Sequence, residues 1–220
     1  MTYKQQMEKS IKGYMASVGF KYDTRQYAYS MDVKEDVAVK ISYATQSCNR
    51  KEYYRLVIYA EIFYKQWNDV LAKLTEGCTA FKPQSMGVIF FPTTIDYSDE
   101  HVTFTSERTM DENLSAFQKE LETKVFPVVE KYTDKRQLYE DLLHEEDAYL
   151  FESTSRWFLP IACYMFGDYE DSLSHAKRFL QESKDNLQRV PDSPGFRNIL
   201  DTYQIYYKNL GALIQKRQNK

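Results

Sequence analysis

The hydrophobic period of this chain changes once, near Arg108. Before it, apolar residues mostly alternate, as strands require. After it, they recur every three or four positions, as helices require, through to the C-terminus. A sequence ordered this way, strands first and helices after, predicts an α+β protein rather than an alternating α/β one.

The first half opens with a helix. Thr2 and Gln5 form a capping box, and Met7, Ile11, Tyr14, Met15 and Val18 line one face until Gly19 ends it. Phe20 to Met31 reads as one strand, with Tyr27 and Tyr29 on one side. Val37, Val39, Ile41 and Tyr43 alternate with small or polar residues. From Glu52 to Tyr64, Leu56, Ile58, Ala60 and Ile62 share one face and Val57, Tyr59 and Phe63 the other. Short connections make this an antiparallel meander, its third strand central. Lys65 to Thr75 reads as a short helix with Trp67, Val70, Leu71 and Leu74 inward. Met86 to Phe91, Thr94 to Tyr97 and His101 to Ser106 read as further strands.

A second capping box, Thr109-x-x-Glu112, marks the switch. Leu114, Phe117, Leu121, Val125 and Val128 follow, and Pro127 predicts a kink or an end near Phe126. Asp134 caps the next helix. Trp157 to Phe166, Tyr169 to Leu180 and Phe196 to Ile214 are three more helical stretches, the last the most cleanly amphipathic. The expected architecture is an N-terminal helix and antiparallel meander sheet (residues 1–108) packed on a C-terminal array of about five helices (109–217). No Gly/Ser/Pro linker separates the two lobes, 1–108 and 109–220, so they are expected to dock tightly or form a single domain.

Charge removes several functions. The chain of 220 residues carries 29 basic and 32 acidic groups, a net charge of -3. No basic stripe is present to neutralise phosphates, so nucleic acid is not an expected partner. The longest apolar run, Trp157 to Gly167, is too short for a bilayer, so neither is a membrane. Cys48, Cys78 and Cys163 are scattered, and the N-terminus lacks an apolar signal core, which together fit the cytoplasm. The seven glycines are too dispersed for a phosphate cradle, and neither G-x-S-x-G nor S-x-x-K occurs.

Three constellations remain. Asp141-x-x-His144 and Asp171-x-x-x-His175 place a carboxylate and an imidazole on one helical face, a spacing that could ligate a metal. In acidic stretches such pairs are more often surface ion pairs, so no metal, cofactor or catalytic residue is expected. Between Tyr22 and Tyr64 lie eight tyrosines, a sheet-stabilising set or a contact surface. Adjacent strand residues Tyr53 and Tyr54 must face opposite ways. The acidic run from Glu140 to Glu152 could guide a basic partner.

Gly167-Asp168-Tyr169-Glu170, with Leu173, Ala176 and Phe179 after it, resembles the inter-helix turn of a tetratricopeptide repeat. Ser172 departs from that repeat's small Ala, and no second copy follows, so the resemblance implies a helical hairpin and no peptide groove. The opening helix with Gly19-Phe20-Lys21 and its aromatic strand resembles bacterial α+β domains of unknown function. That resemblance implies a bacterial or phage-type cytosolic protein of the immunity or accessory kind.

These readings converge on a non-enzymatic binding protein that sequesters or neutralises a protein partner. Tyr53, Tyr54 and Tyr59 would give contact area, and Glu145, Glu146 and Asp147 electrostatic guidance toward a basic surface. One alternative is a small-molecule or metal-dependent enzyme built on His144 and His175. Another is a scaffold, such as a homodimer, that oligomerises through the tyrosine-rich C-terminal helix.

Overall fold

The computed structural model describes residues 1–47, 51–78, 88–90, 102–144 and 148–219. The expectations placed on Cys48, Thr94 to Tyr97, His101, Glu145, Glu146 and Asp147 lie outside the described residues. The fold is α+β, as the change of period requires. In chain order it runs α1 (Tyr3–Ser17), β1 (Lys21–Asp23), β2 (Ala28–Lys34), β3 (Val37–Ser47), β4 (Tyr53–Tyr64), α2 (Lys65–Leu74), β5 (Val88–Phe90) and β6 (Val102–Thr105). Then come α3 (Met110–Glu120), a π turn (Leu121–Val125), α4 (Phe126–Tyr132), α5 (Lys135–His144), α6 (Ala148–Phe166), α7 (Tyr169–Arg189) and α8 (Pro194–Gln218). None of the described helices is long and apolar enough to cross a membrane.

The chain divides into two compact units: Met1–Phe63 with Val88–Gln137, and Tyr64–Gly87 with Leu138–Lys220. The division does not follow the change of period. Helices α3 and α4 belong with the sheet, and α2 belongs with the helices.

The first unit is an antiparallel sheet in the order β1-β2-β3-β4-β5, with β6 also paired to β4. Strand β4 is central. One of its edges meets β6 over Tyr53–Leu56 and β5 over Ala60–Ile62. Alternation sets its faces: Leu56, Ile58, Ala60 and Ile62 are buried, while Tyr53, Arg55, Val57, Tyr59, Glu61 and Phe63 are half-buried. Lys40 and Glu61 pair across the second face.

Both ends of α1 form as the sequence requires. Thr2 and Gln5 close the capping box. At the other end Gly19 adopts φ +94°, and Phe20 N–H reaches back to Met15 C=O at 2.9 Å. That 6→1 bond is the Schellman arrangement, which only a residue tolerant of positive φ permits without strain. Phe117 of α3 fills the core, with Tyr14, Tyr43 and Phe104 ringed around it at about 6.3–6.4 Å.

Asn113, fully buried, satisfies this packing polar-side. Its amide nitrogen donates to the Tyr3 hydroxyl (2.9 Å), Thr105 C=O (2.9 Å) and Thr109 C=O (3.0 Å). Its oxygen accepts from Thr105 N–H at 3.3 Å. One side chain thereby fastens α3 to β6 and to α1. Pro127 disturbs the helix where expected. With no N–H to give, it is absorbed by the π turn, which closes on a Phe126 N–H to Leu121 C=O bond.

One expectation is corrected here. Phe20 to Met31 is not one strand. It is a hairpin, β1 and β2, joined through residues 24–27. The turn signal is Asp23, whose carboxylate accepts from Arg25 N–H at 2.8 Å. Tyr27 closes that turn at φ +51°, not in a strand.

The second unit is helical. Pro160 lies inside α6 and removes the N–H that would bond the Arg156 carbonyl. Neighbouring hydroxyls bond the carbonyls around the break. Tyr206 of α8 donates to Trp157 C=O at 2.8 Å, and Ser172 of α7 donates to Pro160 C=O at 2.7 Å. Ser172 therefore occupies the close approach of α6 and α7 with a hydrogen bond. The hairpin between those helices turns at Gly167 (φ +93°), with Asp168 N–H on Cys163 C=O at 2.9 Å. Tyr139 of α5 donates to the Asp168 carboxylate and stacks on Phe166. Asn209 of α8 caps α2 by donating to the carbonyls of Lys73, Leu74 and Glu76 at 3.0–3.3 Å.

Candidate functional site

A hollow of the first unit grows out of the β1–β2 hairpin. In the antiparallel register Tyr22 of β1 lies opposite Tyr29 of β2, their ring centroids 4.9 Å apart. Tyr43 of β3 continues the row at 6.4 Å from Tyr29. Along the row runs one stripe of α1. Gln5, Glu8, Lys9 and Lys12 stand at i, i+3, i+4 and i+7, so one helical face presents all four. With Thr45 and Tyr27 they enclose about 510 Å³, within the roughly 300–1,000 Å³ of small-molecule sites.

The chemistry of the hollow is mixed. The Lys12 ammonium lies 5.3 Å over the Tyr22 ring, a cation–π contact. Glu8 pairs with Lys4 at 3.8 Å. Among the described residues neither Lys9 nor Lys12 has a carboxylate within ion-pair distance. Burial first, then the nearby Glu8 charge, pushes the Tyr43 phenol up to about 12. Burial and Tyr43 push Tyr29 higher. Both hydroxyls are therefore protonated at neutral pH.

Tyr27 stands apart from the row. It is 75% exposed, and among the described residues its side chain has no ring or hydrogen-bond partner. Its backbone is nevertheless held at φ +51°. An L-residue in that region costs roughly 1–2 kcal/mol, and Gly or Asn is the usual occupant.

The tyrosines expected to form a contact surface separate. Tyr54 turns to the α1 side and stacks on Tyr3, centroids 6.2 Å apart and planes 9° from parallel. Tyr53 and Tyr59 are half-buried on the other face of β4. The two His/carboxylate pairs also differ from simple surface pairs. Asp141 is buried at 3% exposure beside an exposed His144, while Asp171 is exposed and His175 half-buried. Among the described residues no group of three or more His, Cys, Asp or Glu is placed to hold a metal ion.

Two other places in the second unit carry less chemistry. A shallow groove of about 440 Å³ gathers Lys73, Lys216 and Arg217 beside Tyr164. These cations stand in the last turns of α2 and α8, where they answer the helix dipole, and Arg217 is bonded to Tyr164 C=O at 3.2 Å. Cys163 is fully buried, and burial pushes its thiol up to about 12, which leaves it un-ionised and inert. On the apolar face of α8 Tyr203 stacks on Trp157 at 4.4 Å and Tyr206 packs edge-on against the same indole, while Ile199 is exposed.

The eight-tyrosine set was visible in sequence, but the hollow was not. The available signal was the polar stripe at 5, 8, 9 and 12, beside the buried stripe at 7, 11 and 15. No protein family, curated protein or solved structure matches this chain.

Proposed function

We propose that this protein works by binding rather than by catalysis, and that its ligand enters the tyrosine-lined hollow of the first unit. The observation that carries this reading is Tyr27. Cross-strand stacking accounts for Tyr22, Tyr29 and Tyr43, because such pairs stabilise a sheet. It does not account for Tyr27, which is exposed and pays backbone strain without a packing return. Strained residues of this kind gather at ligand clamps. A rigid, amphipathic ring at the rim of a hollow is a contact surface.

The test is Tyr27→Gly, which removes the ring and the strain together. Its stability to urea should stay within about 1 kcal/mol of the parent, since the strain relieved and the chain entropy added are similar in size. Fragments screened by tyrosine-ring NMR should shift Tyr22, Tyr27, Tyr29 and Tyr43 in the parent and bind weakly to the variant. A loss of more than about 2 kcal/mol would make Tyr27 a structural residue and sink the reading.

Sequestration of a protein partner is the form of binding that the sequence favoured. Its support is Tyr53 and Tyr59, which share one face of β4 with Arg55. A partner recovered at one-to-one stoichiometry with the parent, and lost with Tyr59→Ala, would establish it. Equal recovery with both chains would rule that face out.

A further inference from the structure

We infer that the hollow takes a small planar monocarboxylate, its ring against Tyr22 and Tyr27 and its carboxylate against the ammonium groups of Lys9 and Lys12. This inference rests on the binding reading above and adds the ligand's chemical class.

Charge comes first. Lys9 and Lys12 stand against the one carboxylate of the lining, Glu8, which leaves the hollow with a positive excess. A cationic ligand would meet that excess. An anion is drawn to it, and to the Lys12 ammonium that stands over the Tyr22 ring at 5.3 Å.

Donor chemistry agrees. Tyr29 and Tyr43 hold their protons at neutral pH, so they offer hydroxyls and not phenolates to an incoming anion. Lysine ammonium groups are compact point charges suited to one carboxylate. The lining contains neither an arginine fork nor a glycine loop, the usual partners of a phosphate.

Shape supplies the remaining term. The tyrosine row presents stacked and tilted rings, and Tyr27 adds a free-standing ring at the rim. A flat ring can lie against such walls with centroids in the roughly 4.5–7 Å range of aromatic pairs.

The experiment titrates the full chain with four probes while tyrosine-ring NMR signals are followed. The probes are 3-phenylpropionate, 3-phenylpropanamide, phenethylammonium and 3-cyclohexylpropionate. The carboxylate should shift the Tyr22 and Tyr27 rings and bind roughly fivefold to tenfold more tightly than the amide. Phenethylammonium should bind most weakly, and the cyclohexyl analogue more weakly than its phenyl parent. The double variant Lys9→Met and Lys12→Met should bind carboxylate and amide alike.

If the rings shift but the amide or the ammonium binds as tightly as the carboxylate, the ligand class is wrong and the site stands. Equal binding of the cyclohexyl analogue overturns the planar requirement. If no probe shifts any ring of the hollow in the folded chain, the binding reading fails with it.

Discussion

Replacing Asn113 by Asp changes one side-chain atom and should make stability depend on pH in a direction fixed by geometry. Asn113 is fully buried, and its amide nitrogen donates to the Tyr3 hydroxyl and to the carbonyls of Thr105 and Thr109. A carboxylate cannot donate, and it would face those two carbonyl oxygens without a counter-charge. The folded state therefore favours the protonated acid, and its pKa rises above the unfolded value of about 3.9. Holding that proton at pH 7 costs about 4 kcal/mol, at 1.36 kcal/mol for each unit between about 3.9 and 7. The acid has one hydrogen where the amide had two, which adds roughly 1 kcal/mol. The expected loss is about 5 kcal/mol at pH 7.

Below the unfolded pKa both states are protonated, and only the lost hydrogen bond remains, about 1 kcal/mol. Because the folded state binds the extra proton, stability falls as pH rises from about 4 toward the raised folded pKa. Urea unfolding followed by circular dichroism, variant against parent at pH 4 and again at pH 7, measures both losses. A deficit equal at the two pH values would refute the argument. So would a loss under about 1 kcal/mol at pH 7, since Asn113 would then not be fastening α3 to β6.

Three other outcomes are expected. Tyr206→Phe keeps the ring against Trp157 but leaves the Trp157 carbonyl without its hydroxyl donor, so urea unfolding should show a loss of about 1–2 kcal/mol. Asn209→Ala uncaps α2. Amide exchange should accelerate in the last turn of α2 before the rest of the second unit, with a global cost of about 1 kcal/mol. Cys163 and Cys78 are both buried, and the Cys163 thiol is pushed up to about 12. Iodoacetamide at pH 8 should label neither until urea unfolds the chain, as peptide mass spectrometry would report.

Sequence patterning reached the elements whose cause is local. Two capping boxes, at Thr2 and Thr109, formed as read, because each is a contact between residues three apart. The faces of β4 and the buried side of α2 followed from period alone. Pro127 is taken up by a π turn that ends beside Phe126. Local reasoning failed at Asp23, where one carboxylate-to-amide bond bends an aromatic run into a hairpin. It could not reach contacts made at long range. Nothing near Asn113 announces that its partners are Tyr3 and Thr105, and nothing near Asn209 announces α2. The hollow belongs to this class, since Lys12 meets Tyr22 only after α1 folds back on the hairpin.

The chain passes between its units three times, after Phe63, after Gly87 and after Gln137. Neither unit can therefore be cut out as one continuous segment. A fragment ending at Arg108, where the period changes, would keep β1 to β6 and lose Asn113 and Phe117, taking from the apolar side of β4 the cover that α3 gives it. The same exposure occurs during synthesis. From Tyr64 to Gln137 the ribosome must add 74 residues before the sheet has all its helices, roughly 4–15 s at ordinary elongation rates. For that interval Leu56, Ile58, Ala60 and Ile62 lack the cover of α3. Chaperone demand should concentrate on this nascent stage, and mutations that uncover these residues should aggregate before they measurably unfold.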